Sequence, residues 1–416
     1  MRKRVLLVAL GVIVLVLGAY SIASADSPSP EATYVGMDTC KTCHSAIVES
    51  FTETLHPWML QPKDKANIVG DFTSTDEDLT FTLDDVDYVI GAKGAGWKQR
   101  YIKVVDGVWR ILPAQWILKT QEWKPYHADD WMERDYKQKC IGCHTTGYDT
   151  ATGEFKDFGV TCEACHGPGS EHATTADKTK IVKSTEGVVC GQCHTRGKDA
   201  AGTGYPVGYN AGDETLPASW TPIAAGDKHL WPDGSSSGHH QQYIDWLQSR
   251  HSEVGITCVS CHDPHGPGAA GHQTKTSHKD ACKACHSDKY DLAAHQPSMA
   301  AAFEADPEAS WCVKCHMPKI AKSAVKYDIH SHTFWAPDPQ KTIDATGQEK
   351  MPNACNICHS DQTAEWALTA IQTGAVPPAL PVTGGERPST TPYIVAAALL
   401  ALFVLAGTTV YVRRRV

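Results

Sequence analysis

Eight copies of one five-residue pattern, C-x-x-C-H, constrain this chain more than any other feature. They are Cys40/Cys43/His44, Cys140/Cys143/His144, Cys162/Cys165/His166, Cys190/Cys193/His194, Cys258/Cys261/His262, Cys282/Cys285/His286, Cys312/Cys315/His316 and Cys355/Cys358/His359. All 16 cysteines are used, at intervals of 100, 22, 28, 68, 24, 30 and 43 residues between successive motifs. The chain's own Cys and His frequencies yield on the order of a few hundredths of one such motif by chance. Composition therefore does not explain the pattern. Disulfides require no histidine, zinc sites pair two C-x-x-C units without a histidine fixed after each, and a thioredoxin-like site has a single motif in a βαβ setting.

Two thiols three positions apart reach the two vinyl groups of one haem as thioethers. The next residue is then held beneath the iron as its proximal ligand. The expected cofactors are eight haem c groups, with all thiols consumed and no disulfides. Of 21 histidines, 13 lie outside the motifs, whereas the chain has only seven methionines. Histidine on both faces of most irons is the economical assignment, and it favours lower potentials than Met/His ligation. Ile47, Val48, Phe51 and Leu55 follow helical spacing, and Pro57 ends that predicted helix at His56, a candidate sixth ligand. His240, Ile244, Leu247 and His251 fall on one predicted helical stripe, which favours His240 over His239 and points it the same way as His251.

Tyr34-Val35-Gly36 with Phe51 and His56, and the segment from Gly159 to His172, resemble the cytochrome c-554 family and related octahaem cytochromes. So do the segments Cys258 to Gly266, Cys312 to Lys319, Ser331 to Phe334 and Pro352 to Asp361. The resemblance covers roughly residues 34 to 366. It implies His56, His172, His251, His265 and His332 as first distal ligands, with His127, His240, His278 and His295 next. His229, His239, His272 and His330 are left as surface or supporting residues. Nine candidates exceed eight irons, so at least one is surplus. The family consists mostly of electron carriers but borders octahaem oxidoreductases acting on hydroxylamine, nitrite or tetrathionate. Those enzymes need one open or unusually ligated iron, and no motif here departs from C-x-x-C-H to mark one.

Both ends carry export and attachment signals. Arg2 to Arg4, an apolar run from Val5 to Tyr20 and Ala23-Ser24-Ala25 form a secretory signal peptide, residues 1–25. At the other end, Leu380-Pro381-Val382-Thr383-Gly384 precedes a 20-residue apolar stretch and Arg413-Arg414-Arg415. This resembles a sortase sorting signal, with cleavage between Thr383 and Gly384 and transfer to a Gram-positive-type cell wall. The alternative is a single-pass anchor, a C-terminal helix with the body outside. Setting both signals aside leaves 31 basic against 46 acidic residues, a net charge of −15. That argues against nucleic acid and for a basic redox protein, another cytochrome or an extracellular acceptor.

The expected fold is mainly α with much irregular loop, a multihaem cytochrome c fold built around eight covalent haems plus a small β-module insert. The segments are 26–70 with the first haem, 71–127 as the β-module, 128–225 with haems 2–4, 226–366 with haems 5–8, and a spacer at 367–383 before the signal at 384–416. In the insert, Leu79 to Leu83 alternates, and Asp106-Gly107 joins Gln99 to Val105 with Val108 to Leu112 as a predicted hairpin. Trp97, Trp109, Trp116 and Trp123 read as packing and haem-shielding groups. Residues 196–238, rich in Gly, Pro, Ser and Thr, read as irregular loop. The functional expectation is electron transfer at or near the cell surface. An octahaem oxidoreductase is the alternative.

Overall fold

A computed structural model describes residues 28–373, apart from 270, 288–290, 292–299, 307–308 and 336–337. The signal peptide, the LPVTG segment, the C-terminal apolar stretch and His295 lie outside the described residues.

Most helices are short and sit on the C-x-x-C-H motifs. The first, Met37–Thr52, carries motif 1 and buries Val48. The helices Ile141–His144, Cys162–His166, Gly187–Gly191, Cys258–Cys261, His278–Lys283, Trp311–His316 and Ala354–Cys358 each carry or enter one of the others. A single helical turn suffices to set two thiols on one side, because residues three apart share a helix face. Long loops join these turns. The region 196–238 is nearly all loop, broken by a two-residue strand pair, Gly197–Lys198 with Thr221–Pro222.

The insert between motifs 1 and 2 is a five-stranded antiparallel sheet in sequential order. Its strands are β1 (Leu60–Pro62), β2 (Tyr88–Ile90), β3 (Lys98–Val105), β4 (Val108–Ile117) and β5 (Glu122–Pro125). The β3–β4 hairpin closes at Val105 opposite Val108, around Asp106 and Gly107 with φ of 50° and 79°. Two consecutive positive φ values match the right-handed strand twist and explain the Asp-Gly pair. Alternation sorts the side chains onto two faces. Phe81, Val89, Tyr101, Leu112, Trp116 and Trp123 pack on one side. Leu60, Ile90, Ile102, Trp109 and Ile111 pack on the other, against Tyr136, Ile141 and Tyr205. Ile141 lies inside motif 2, so that motif is seated directly on the sheet. Each such fully buried side chain contributes roughly 1.5–3 kcal/mol.

The structure departs from several local expectations. Leu79 to Leu83 is not a strand: Thr82 and Asp85 form a capping box on the short 3₁₀ turn Leu83–Asp85 instead. The sheet's outer strand is Leu60–Pro62, upstream of residue 71. The stripe from His240 to His251 is broken, because Gln242–Leu247 and Arg250–Glu253 are separate helices and Ser249 caps the second through Ser252 N–H. His240 precedes the first of them at φ 63°. Likewise, helix Met37–Thr52 stops short of His56, which opens a 3₁₀ turn with Pro57. The helix Ala364–Thr373 runs across the expected start of the spacer at 367.

Candidate functional site

The motif histidines are fixed by their neighbours before any cofactor is considered. His166 Nδ1 donates to the Val182 carbonyl at 2.6 Å, and His262 Nδ1 to the His272 carbonyl at 2.9 Å. His194 Nδ1 meets Gln242 Oε1 at 3.3 Å, and His144 Nδ1 meets the Tyr136 hydroxyl at 2.8 Å. Non-motif histidines are held in the same way: His172 by the Asp177 carbonyl at 2.9 Å and His332 by the His330 carbonyl at 3.1 Å. A carbonyl on Nδ1 settles the tautomer and leaves Nε2 as the lone-pair donor, which is how imidazole is presented to a metal.

Five motif histidines face a non-motif histidine across a gap of one size. Ring centroids are 6.2 Å apart for His44 and His172, 5.9 Å for His166 and His265, 6.4 Å for His262 and His332, and 6.1 Å for His286 and His251. His194 has two such neighbours, His56 at 6.2 Å and His240 at 6.4 Å. A ligating imidazole nitrogen stands about 2 Å from its metal with the ring centre about 1 Å behind, so two rings on one iron are separated by roughly 6 Å. The donor sets therefore fit six-coordinate haem iron, which would supply reversible one-electron chemistry when bound.

Of the first-choice distal residues, all five (His56, His172, His251, His265 and His332) stand at this spacing from a motif histidine. Of the others, His240 shares His194 with His56, and His278 lies 6.5 Å from His330 rather than from a motif histidine. His127 sits on the surface against Asp130 at 3.1 Å and Tyr126. His239 is bound to Arg196, and His272 stacks on Trp97 at 5.2 Å. Among the described residues, no histidine ring stands at the 6 Å spacing from His144 or His359; the latter has Trp366 at 5.0 Å.

The thiols give an order in space that the chain order conceals. Cys40 and Cys162 are within hydrogen-bond reach, as are Cys143 and Cys193, Cys190 and Cys258, and Cys282 and Cys312. Longer electrostatic contacts join Cys165 to Cys193, Cys261 to Cys285, and Cys315 to Cys355. All are free thiols rather than disulfides. Motifs 1, 3, 4, 5, 6, 7 and 8 thus form one line, with motif 2 attached to motif 4 as a side branch.

Cys43 departs from this pattern and from the expectation that both thiols of a motif are held alike. Its motif partner Cys40 is half-buried against Cys162, whereas Cys43 is exposed and its sulfur takes only the Thr42 hydroxyl, at 3.8 Å. The reason is positional. Motif 1 ends the line, so the thiol on its outer side has solvent where an inner motif has a neighbour. Cys165, Cys285 and Cys358 are exposed as well, but each of these lies within electrostatic reach of another motif's thiol.

Asp245, 1% exposed, braces the line at motif 5. Oδ1 accepts from Ser236 N–H at 2.8 Å and its hydroxyl at 2.7 Å; Oδ2 accepts from Ser331 Oγ at 3.1 Å and His332 N–H at 2.9 Å. Nothing in the motif pattern marked this residue. A lone Asp on a short helix has no sequence signal until its partners, nearly 90 residues away, are known.

Residues 115–167 match the family of cytochrome c554 and c-prime, and residues 251–291 match the doubled CXXCH motif. The multihaem cytochrome MtrA of Shewanella baltica (strain OS185) is 27% identical over 147 residues, covering 32% of this chain and 43% of that protein. The chain thus aligns with less than half of that relative's length. The outer cell wall cytochrome OcwA superposes with a TM-score of 0.67 at 25% identity, over 82% of this chain and 86% of that one. An undecahaem cytochrome from the S-layer of Carboxydothermus ferrireducens aligns at a TM-score of 0.47 and 19% identity, covering 83% of this chain and 61% of that one, too slight a likeness to argue from. No helix among the described residues is long and apolar enough to cross a membrane.

Proposed function

We propose that this chain, a multihaem c-type cytochrome with a fold similar to that of OcwA, is an electron conduit of eight covalent haems on the outer side of the cell. The carrying observation is the unbroken line of thiol neighbours from Cys40 to Cys358. Haems attached at neighbouring thiols lie side by side, so each lies next to another. Electrons then pass along the line without any mobile part. Histidine on both faces of most irons keeps the ligand set unchanged between oxidation states and limits rearrangement.

The residues define the roles. The 16 motif cysteines hold the macrocycles, and the eight motif histidines supply the proximal nitrogens. Cys43, exposed at the end of the line, makes its thioether at an open edge, so the first haem is the one that a redox partner can approach from solvent. His172, His265, His332 and His251 cap haems 1, 3, 5 and 6. His56 and His240 compete for haem 4. Partners are other redox proteins or an extracellular acceptor. The LPVTG segment supports wall attachment, and a relative named as an outer cell wall protein points the same way.

Mass spectrometry of the mature chain tests the array: eight haem adducts are expected, and a smaller number breaks the line. Potentiometry should then show full, reversible reduction of every haem. For attachment, Thr383→Ala should shift the protein from the wall to the membrane fraction; an unchanged distribution refutes the sortase reading.

A further inference from the structure

Beside motif 2 lies a group of cations that the protein does not neutralise. Lys98 and Arg100 are two apart on β3 and so share one face of the sheet. Arg196 follows motif 4, and His239 comes from the loop before the helix Gln242–Leu247. Arg196 Nε donates to the His239 carbonyl at 2.9 Å, and its Nη2 meets His239 Nε2 at 2.9 Å. A guanidinium only donates, so His239 is the acceptor and is neutral. Arg100 lies 3.7 Å over the Tyr126 ring and donates to Gln115 Oε1 at 2.9 Å. Lys98 Nζ donates to the Ser323 carbonyl at 2.5 Å. Every one of these partners is uncharged.

The nearest carboxylates are already engaged. Asp328, which faces Lys98, accepts the N–H groups of Ser323, Ala324 and Val325 at 2.5, 2.8 and 3.0 Å. Asp130 holds His127 and Arg134. Among the described residues, neither Arg100 nor Arg196 has an ion pair. Burial pulls both guanidinium groups below their ordinary values, yet both keep accessible surface, so they line an internal recess. Two more polar groups in the same segments lack partners: Thr195 Oγ1, and Gln241 Nε2, whose own Oε1 takes the Arg196 N–H at 3.3 Å. Donors without acceptors, and cations without anions, are costly when buried.

We propose that this recess binds a small oxyanion beside the haem held by Cys140, Cys143 and His144. Arg100 lies within electrostatic reach of both Cys140 and His144, and Arg196 of Cys140. His144 has no histidine opposite it among the described residues. Motif 2 also joins the array through motif 4 alone, so its haem is an end of the array and not a station along it. An anion with several acceptor oxygens satisfies Arg100, Arg196, Lys98 and the Gln241 amide together. The proposal rests on the reading of the chain as a haem array and requires binding only, not turnover.

The test uses the purified, haem-loaded protein, titrated with nitrite and with sulfite by calorimetry and optical spectroscopy. One site per chain is expected, weakened about tenfold or more in Arg100→Gln and in Arg196→Gln, as for loss of a charge-assisted hydrogen bond. Lys326→Gln, which removes an exposed lysine paired with Glu349, should leave affinity unchanged. Thermal melting and haem counting confirm that the variants fold. Absence of binding to the unaltered protein, or equal binding by the two arginine variants, overturns the proposal. If neither anion binds while the arginine variants shift the potential of one haem, a haem propionate occupies the recess and the free-anion proposal falls. A Cys140–His144 peptide found without haem refutes the array reading instead.

Discussion

Replacing Asp245 with Asn should detach one sixth ligand while leaving the fold standing. The carboxylate ties two serines and the His332 backbone to the helix Gln242–Leu247 through four hydrogen bonds of 2.7–3.1 Å. Burial pushes the Asp245 pKa up, and those four bonds pull it back toward the ionised form. The amide keeps one oxygen, which still serves Ser236. Its nitrogen then faces His332 N–H, donor against donor, and Ser331 keeps a partner only by reversing its hydroxyl. Losing a charged acceptor and orphaning one buried N–H costs about 2–4 kcal/mol. A domain holds about 5–15 kcal/mol in all, so the chain should fold with a lower melting temperature. The cost falls on the loop that presents His332 to His262. Electron paramagnetic resonance of the ferric protein should show one haem per chain moving from low to high spin, with one equivalent of carbon monoxide bound on reduction. Ser331→Ala, which loses only the 3.1 Å bond, should do neither. If Asp245→Asn keeps the wild-type spin state and melting temperature, the brace is not what holds His332, and the reasoning fails.

Other outcomes follow from the same geometry. His172→Ala should leave one high-spin haem at the motif 1 end, with the other haems still reducible; an unchanged spectrum would remove His172 as a ligand. Glu163 accepts Val35 N–H at 2.9 Å and the N–H groups of Gly36 and Gly169 at 2.7 Å each. Glu163→Gln should therefore cost about 2–3 kcal/mol and expose the segment around residue 35 to limited proteolysis, and resistance equal to wild type counts against it. Nitrite binding to the recess should tighten as pH falls from the alkaline side toward 6. Burial and the facing Arg100, Arg196 and Lys322 pull Lys98 down to about 6, against the opposing pull of Asp328. A bound anion raises it again, so binding takes up a proton above that pH and none well below it. Affinity independent of pH, measured by calorimetry, would exclude Lys98 from the site.

What could be read from the chain is what local chemistry dictates. The haem motifs are short covalent instructions, legible without any fold. Their surroundings are not: the motif treats Cys40 and Cys43 alike, and only the fold sets one against Cys162 and leaves the other in solvent. The hairpin at Asp106-Gly107 is legible because two positive φ angles admit few residue pairs. The helical stripe from His240 to His251 was misleading because periodicity does not register a cap, and Ser249 ends one helix by starting another. Leu79 to Leu83 alternates like a strand, yet the Thr82–Asp85 capping box offers its backbone a nearer partner. The pairing of His265 with His166, or of His332 with His262, crosses long stretches of chain and leaves no periodic trace. Resemblance to a family could name those histidines, but not the motif each one faces.

The insert between motifs 1 and 2 explains why spatial order departs from chain order. Intervals of 22 and 28 residues would let motifs 2, 3 and 4 follow one another as neighbours. Instead Ile141 is buried against Ile102, Trp109 and Ile111 on one face of the sheet, which holds motif 2 away from motif 3. Motif 1 then takes the place beside motif 3, through Cys40 and Cys162. His56, just before β1, reaches His194 of motif 4. A module with no haem of its own therefore makes motif 2 a side branch and, through β3, surrounds it with Lys98 and Arg100. Had the sheet served only to shield haems, its apolar faces would have sufficed and two buried cations would be a pure cost. Their position at the one branch of the array ties the insert to what that branch binds.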